Sequence, residues 1–335
     1  MSSLVIQTSF LGDTVLTTPL VARLAESGPV DVLVTPASAG LLAHDPAIRE
    51  VLVYDKRGRD RSVAGFARLA RTLRARRYAA AYLAQGSARS GALALAARIP
   101  RRVGFTTSAG RAFYTTRVET ARGMHHAERI FTLGTAGGAR PVARAELRPR
   151  LYPGDAERAA VDAILTRAGH AGEPLVALAP GSVWATKRWP YYPALAREVA
   201  QRARVVVVGA RDDAPLAAEI AAEAGSTVID ATGSLSLLGS AELIGRCRAI
   251  VSNDSAPLHL ASAMNTPTVA IFGPTVPAFG FGPLAERAAI VEDDLLACRP
   301  CDRHGPRACP LGHWRCMRGM LPARVADIVM GYLTT

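Results

Sequence analysis

Residues 249–275 constrain this chain more than any other stretch. A short apolar run at 249–251 reads as a buried strand. Ser252-Asn253-Asp254-Ser255 follows it, which is N-cap chemistry for a helix opening near Ala256. Pro257 falls in the first helical turn, where its missing N–H costs nothing. A second apolar strand follows at 268–272. A strand–turn–helix–strand unit of this kind belongs to a parallel sheet and puts a helix N-terminus at the sheet's carboxyl edge. Unpaired backbone N–H groups there suit a phosphate. His259, one turn into the helix, is close enough to serve the same ligand.

The rest of the chain repeats the alternation. The first half reads as strands at 4–7, 30–34, 51–54, 79–83 and 102–104, with helices at 14–26, 63–76 and 90–98. Residues 141–173 read as a linker and a lead-in helix. The alternation then restarts with strands at 175–179, 205–209 and 228–230 and helices at 192–202, 214–224 and 236–246. A closing helix is expected at 321–333. An open, mostly parallel α/β sheet in each half, with a cleft between two similar halves, accounts for the pattern. The 335 residues exceed one ordinary core and suit two domains. The expected division is 1–155 and 156–335, with the last helix free to pack back on the N-terminal domain.

Apolar residues make up 49% of the chain and aromatic residues 6%. Alanine carries much of that share, so the helices should be small-faced and closely packed. No apolar run reaches the roughly 18 residues of a membrane span. The N-terminus enters a strand directly, without a signal peptide's basic region or cleavage site. A cytoplasmic protein is the expectation. The net charge of +12 calls for an anionic partner or surface. The only lysines are Lys56 and Lys187. Most positions that merely need a positive charge hold arginine, so each lysine carries more information.

Three loops at strand ends hold the chemistry. In the first, Ser9 to Pro19, Gly12 permits a tight turn or a close ligand. Asp13 stands at a helix N-terminus, as a cap or as a general base toward a hydroxyl. In the second, Pro180 to Pro190, Gly181 and Ser182 offer backbone N–H groups and a hydroxyl. Lys187 and Arg188 offer charge there, while Trp184 and Trp189 offer stacking faces or simply cover. Such a loop suits a diphosphate whose charge grows as it leaves; the alternative is a solvated basic loop. In the third, after the strand at 205–209, Asp212 or Asp213 is placed to bind ribose hydroxyls or to cap the next helix.

Cys298, Cys301, Cys309 and Cys316 form a cluster with His304 and His313 among them. The readings are a structural zinc site, two disulfides, or packed thiols. Cys247 reads as core. Arginines are frequent in first-half loops, and Arg59, Arg117 and Arg122 are candidates to face an anionic acceptor. The pair His125 and His126 contributes to that face or to nothing.

Taken together, these segments resemble the bacterial ADP-heptose:lipopolysaccharide heptosyltransferases, glycosyltransferase family 9, and most of all the heptosyltransferase II branch. The residues that carry the resemblance are Ser9 to Pro19, Arg76 to Tyr82 with Ile99 to Phe105, Pro180-Gly181-Ser182 with Lys187 to Pro190, and Ser252 to Ser255 with His259 and Gly273-Pro274-Thr275. They run in order over nearly the whole chain. The resemblance implies a GT-B fold: two Rossmann-like domains facing a central cleft, the second holding the donor. It implies inversion without a required metal or other cofactor. Asp13 would then be the base and Lys187 would steady the departing ADP. Ser9, Gly12, Gly181, Ser182, Asp212, Asp254, Ser255, Ala256 and His259 would hold ADP-heptose. Asp254 would bind sugar hydroxyls, since it would repel phosphate. The acceptor implied is the anionic lipopolysaccharide inner core at the cytoplasmic face of the inner membrane, a natural use for the positive charge. Ala256 and Pro257 stand where the family often has Gly and then Leu or Met, and residues 183–186 are bulkier than expected.

Competing readings are a family 9 transferase using another nucleotide sugar or acceptor, and a non-catalytic anion- or nucleotide-sugar-binding protein. Nucleic acid is not an expected partner: the arginines are dispersed and no recognition motif stands out.

Overall fold

A computed structural model describes residues 1–135, 142–225 and 227–334 of the chain. The chain folds as two units, Met1–Tyr152 and Pro153–Thr335. Pro141, where the linker reading begins, lies outside the described residues.

The first unit runs β1 (Ser3–Gln7), α1 (Leu11–Val15), α2 (Thr18–Ala25), β2 (Val30–Val34), α3 (Pro36–Ala39), β3 (Glu50–Val53), α4 (Val63–Ala75), β4 (Ala80–Leu83), α5 (Ala88–Ala96), β5 (Arg101–Phe105), β6 (Thr116–Val118), α6 (His126–Phe131) and α7 (Arg144–Leu147). Its six strands are parallel, in the order β3-β2-β1-β4-β5-β6. β1, β2 and β4 are buried almost throughout, which is why they read as unbroken apolar runs rather than alternating ones.

The helix expected over 14–26 is two helices, with Pro19 in the first turn of the second. Proline cannot donate to the preceding turn, so one helix ends and another begins. Gly12 lies inside α1, and its φ is not among the positive values found in the chain. Of the two readings of Gly12, a tight turn or a close ligand, the first does not hold, because the residue is helical.

The second unit runs α8 (Asp155–Arg167), β7 (Leu175–Ala179), α9 (Tyr192–Val199), β8 (Arg204–Val207), α10 (Ala214–Ala224), β9 (Ile229–Asp230), α11 (Leu237–Gly245), β10 (Ala249–Asn253), α12 (Ala256–Met264), β11 (Thr268–Phe272), β12 (Ala288–Glu292), α13 (Arg315–Arg318) and α14 (Pro322–Leu333). Its strands are also parallel, ordered β12-β11-β10-β7-β8-β9. Read from the other edge, this is the first unit's order. In each unit the first and fourth strands are neighbours, and the order of succession reverses between them. Ligands of open α/β sheets bind outside the carboxyl ends of the strands at that reversal. The closing helix α14 buries Val325, Ala326 and Val329 in this unit's core, beside Leu195 and Val199 of α9.

Candidate active site

In the second unit, β7 and β10 are paired in register, with Ala179 opposite Ser252. The loops that leave these strands are therefore side by side. One carries Lys187 and the other Asp254. Lys187 Nζ lies 2.5 Å from Asp254 Oδ2 and 3.3 Å from the Asp254 carbonyl oxygen. The two side chains are 10% and 12% exposed. Thr275, just beyond β11, donates to the same Oδ2 at 2.8 Å. The carboxylate thus has two donors and holds the ammonium from one side. An ammonium has three protons. Two acceptors occupy two of them and leave one for a further ligand.

Neighbouring residues fix the two loops. Asn253 donates from Nδ2 to the Pro180 carbonyl at 2.8 Å and accepts from Trp189 N–H at 3.2 Å. Trp189 is buried and donates from its indole to the Met320 carbonyl. Its ring packs edge-on to Tyr191 and Tyr192. It is a core residue and offers no stacking face. Ser255 is the N-cap of α12 in an extended conformation, Ala256 and Pro257 open the helix, and His259 is buried with its ring edge-on to Phe281. These residues occupy the positions the sequence suggests for a phosphate turn.

Gly181 has a specific reason to be glycine. A Cβ there would stand 2.4 Å from the Asp213 carboxylate. Asp213 accepts from Ala210 N–H at 2.9 Å and so caps the turn after β8. Asp212 is exposed beside it. Of the pair left open by the sequence, Asp213 thus caps the turn, and Asp212 has its side chain in solvent.

The cysteine-rich segment folds over this site. Thr186 donates to the Pro306 carbonyl, and Gly305 packs on the Lys187 stem. Arg299 donates to the carbonyl oxygens of Phe272, Gly273 and Thr275, and Cys301 N–H to that of Pro274. The segment therefore clamps the loop that carries Thr275. All five cysteines are free thiols. The two-disulfide reading is thereby corrected: Cys298 Sγ faces His313, and burial pushes the Cys316 thiol up to about 11. Among the described residues no group of three or more His, Cys, Asp or Glu is placed to hold a metal ion. A four-thiol zinc site at Cys298, Cys301, Cys309 and Cys316 has no support here.

In the first unit Asp13 lies in the first turn of α1, and the N-cap is Phe10. Its Oδ1 is 3.2 Å from Nε2 of His126, the first residue of α6. On the ring's other side, Arg129 approaches Nδ1 at 2.5 Å. A guanidinium can only donate, so Nδ1 accepts and the ring proton sits on Nε2, facing Asp13. A pocket of about 510 Å³ opens beside the same loop, lined by Ser9, Phe10, Tyr54, Lys56 and Gln85 among others. Lys56 donates to the Thr8 carbonyl at 2.5 Å, and burial together with Arg57 and Arg89 lowers its pKa.

The arginine candidates are not brought together. Arg59 follows β3 at one edge of the sheet and pairs with Asp60, while Arg117 is on β6 at the other edge. Arg122 is exposed. His126, read with His125 as contributing to the acceptor face or to nothing, lies beside Asp13; the contributions of Arg129 and Thr275 were missed. Of those two, Thr275 carried a signal, as the end of the Gly273-Pro274-Thr275 motif.

The model of glycosyltransferase family 9 (heptosyltransferase) matches residues 66–312. Lipopolysaccharide heptosyltransferase 2 of Salmonella typhimurium is 28% identical over 319 residues, covering 87% of this chain and 88% of that protein. The structure of E. coli ADP-heptose LPS heptosyltransferase II superposes with a TM-score of 0.82 at 24% identity, covering 100% of this chain and 99% of that one. A glycosyltransferase family 9 structure from Veillonella parvula gives 0.86 at 21% identity, with 99% and 97% covered.

Proposed function

The chain belongs to glycosyltransferase family 9, and from that premise we propose that it transfers a heptose from ADP-heptose to the lipopolysaccharide inner core. The observation that carries the donor half is the Lys187–Asp254–Thr275 constellation at the carboxyl ends of β7 and β10, next to the α12 N-terminus. A donor diphosphate meets the helix N–H groups and the third proton of Lys187. Asp212 reaches ribose hydroxyls. His259 and Ser255 bound the sugar side. Asp254 itself is engaged by Lys187, so its first task is to aim the ammonium, and its remaining acceptor capacity is what a sugar hydroxyl meets.

The acceptor half rests on Asp13. The acceptor hydroxyl attacks the anomeric carbon from the face opposite the diphosphate. Its proton passes to Asp13, and the bond from the anomeric carbon to the phosphate oxygen breaks. The sugar carbon inverts, and the negative charge that appears on ADP is met by Lys187. His126, with Nε2 3.2 Å from the Asp13 carboxylate, positions that carboxylate. This chemistry asks for no metal. Lys56, in the pocket beside Asp13, faces the acceptor. The net charge of +12 suits an anionic glycolipid at a membrane surface. Among the described residues no helix is long and apolar enough to cross a membrane, and we place the protein on the cytoplasmic face as a peripheral enzyme.

Calorimetric titration with ADP, ADP-heptose, UDP-glucose and GDP-mannose tests the donor. Selective binding of ADP and ADP-heptose is expected, with turnover that persists in EDTA. Preference for another nucleotide would discard the donor and keep the transferase class. Loss of turnover in EDTA by a still-folded protein would overturn the metal-free mechanism.

A further inference from the structure

We propose a second anion-binding site on the first unit, for a ligand carrying two or more phosphate charges, at the sheet edge opposite Asp13. α4 and α5 both run back to the amino ends of strands, β4 and β5, and these strands are neighbours. The two helix-to-strand joints therefore lie side by side. Between them is a concavity of about 690 Å³ whose lining includes Arg71, Arg74, Arg77 and Arg98, together with Tyr78 and Pro100. That volume is within the usual range for a small-ligand site. No carboxylate lines it.

The nearby acids are already engaged. Asp31 and Glu50 pair with Arg76, and Asp31 also accepts from Arg49 and Tyr78. Among the described residues the four lining arginines form no ion pair. Arg71 donates only to the Ala67 carbonyl of its own helix.

Two alternatives to a ligand can be weighed. The first is that the arginines merely neutralise the carbonyl ends of α4 and α5. Each helix end carries roughly −0.5 charge. Two ends offset about one guanidinium, and about three positive charges remain. The second is that the positions are incidental. Arg77 and Arg98 have φ of +52° and +56°, at the joints where glycine or asparagine is the comfortable residue. Both joints hold arginine instead, and both point the same charge into the same concavity. Guanidinium forks bind phosphate oxygens two at a time, which fixes the ligand class. The source is either a soluble diphosphate-type anion or the headgroups of an anionic phospholipid surface. The site is independent of the transferase reading and would survive its failure.

The strained joints also supply a variant that leaves folding intact. Arg77→Gly with Arg98→Gly removes half the charge and puts glycine where the backbone favours it, so the melting temperature should stay level or rise. Hydrogen exchange over residues 74–80 and 96–101 then reads the site apart from any donor binding in the second unit. The probes are inorganic pyrophosphate and vesicles of phosphatidylglycerol, with phosphatidylcholine vesicles as the neutral reference. Exchange there should slow at least threefold in the wild type and not in the double variant. Slowing by pyrophosphate supports a soluble ligand; slowing by phosphatidylglycerol vesicles alone supports a lipid surface. No slowing with either probe, or equal slowing in the double variant, overturns the site.

Discussion

Replacing Lys187 by methionine separates what the Lys187–Asp254 pair does for the fold from what it does for the reaction. Removing one member of a buried ion pair ordinarily costs about 3–5 kcal/mol, because the other charge is left without its partner. Here Thr275 still donates to Asp254, and each side chain keeps about a tenth of its surface in water. The expected loss of stability is therefore at or below the lower end of that range, about 2–3 kcal/mol. Replacing both residues, Lys187→Met with Asp254→Leu, removes the stranded charge. It should recover about 2 kcal/mol relative to the sum of the single variants, since an apolar pair of similar size is often neutral. Turnover should not follow. A charged hydrogen bond to the leaving diphosphate is worth about 1.5–3 kcal/mol, so both Lys187 variants should lose tenfold or more. Urea unfolding by tryptophan fluorescence is the assay, because Trp184, Trp189 and Trp314 all lie in the second unit. Stabilities that add to within about 0.5 kcal/mol would refute the coupling. Turnover unchanged in Lys187→Met would refute the leaving-group role.

Asp13→Asn should lower turnover by about 10²–10⁴-fold while donor affinity in titration is kept, and His126→Gln, which still offers an N–H, should lose about tenfold or less; equal losses in the two would show that the ring does more than position the carboxylate. Burial pushes the Asp31 carboxyl up, but hydrogen bonds from Arg49 and Tyr78 and the charges of Arg49 and Arg76 outweigh it and hold it below 3.8. Its folded pKa is depressed, so its contribution is present above the unfolded value of about 4 and is lost as pH falls through the folded one. Asp31→Asn should cost about 2–4 kcal/mol near neutrality and flatten the acid limb of a stability–pH profile; an unchanged limb would count against the assignment. Gly181→Ala should destabilise by about 1–3 kcal/mol through the clash with Asp213, and adding Asp213→Ala should relieve the clash; a double variant no better than the single would show that the strain lies elsewhere.

The sequence made the buried strands plain and left two of the four edge strands obscure. Residues 175–179 and 268–272 are apolar almost throughout and sit inside the second sheet, and their expected and observed limits coincide. The edge strands β6 and β12 went unread. Thr116–Val118 is three residues long, and Ala288–Glu292 is partly exposed with Ile290 facing solvent. A strand this short or this exposed need not spell an apolar run. The site shows the same division. Local chemistry at Asp254, Ser255 and Lys187 was visible, because cap residues, proline and a rare lysine are local signals. Their pairing was not, because Lys187 and Asp254 are 67 residues apart and meet only through the order of β7 and β10. The same holds for His126 beside Asp13, since nothing near either residue refers to the other.

The restraint on Lys187 has a thermodynamic consequence. A free lysine side chain gives up about 2 kcal/mol of rotamer entropy when a ligand immobilises it. Here the stem is packed beneath Gly305 and the ammonium is turned by Asp254 before any ligand arrives. That ordering belongs to folding, so an incoming diphosphate meets a proton whose direction is already set, and its own affinity is spared the cost.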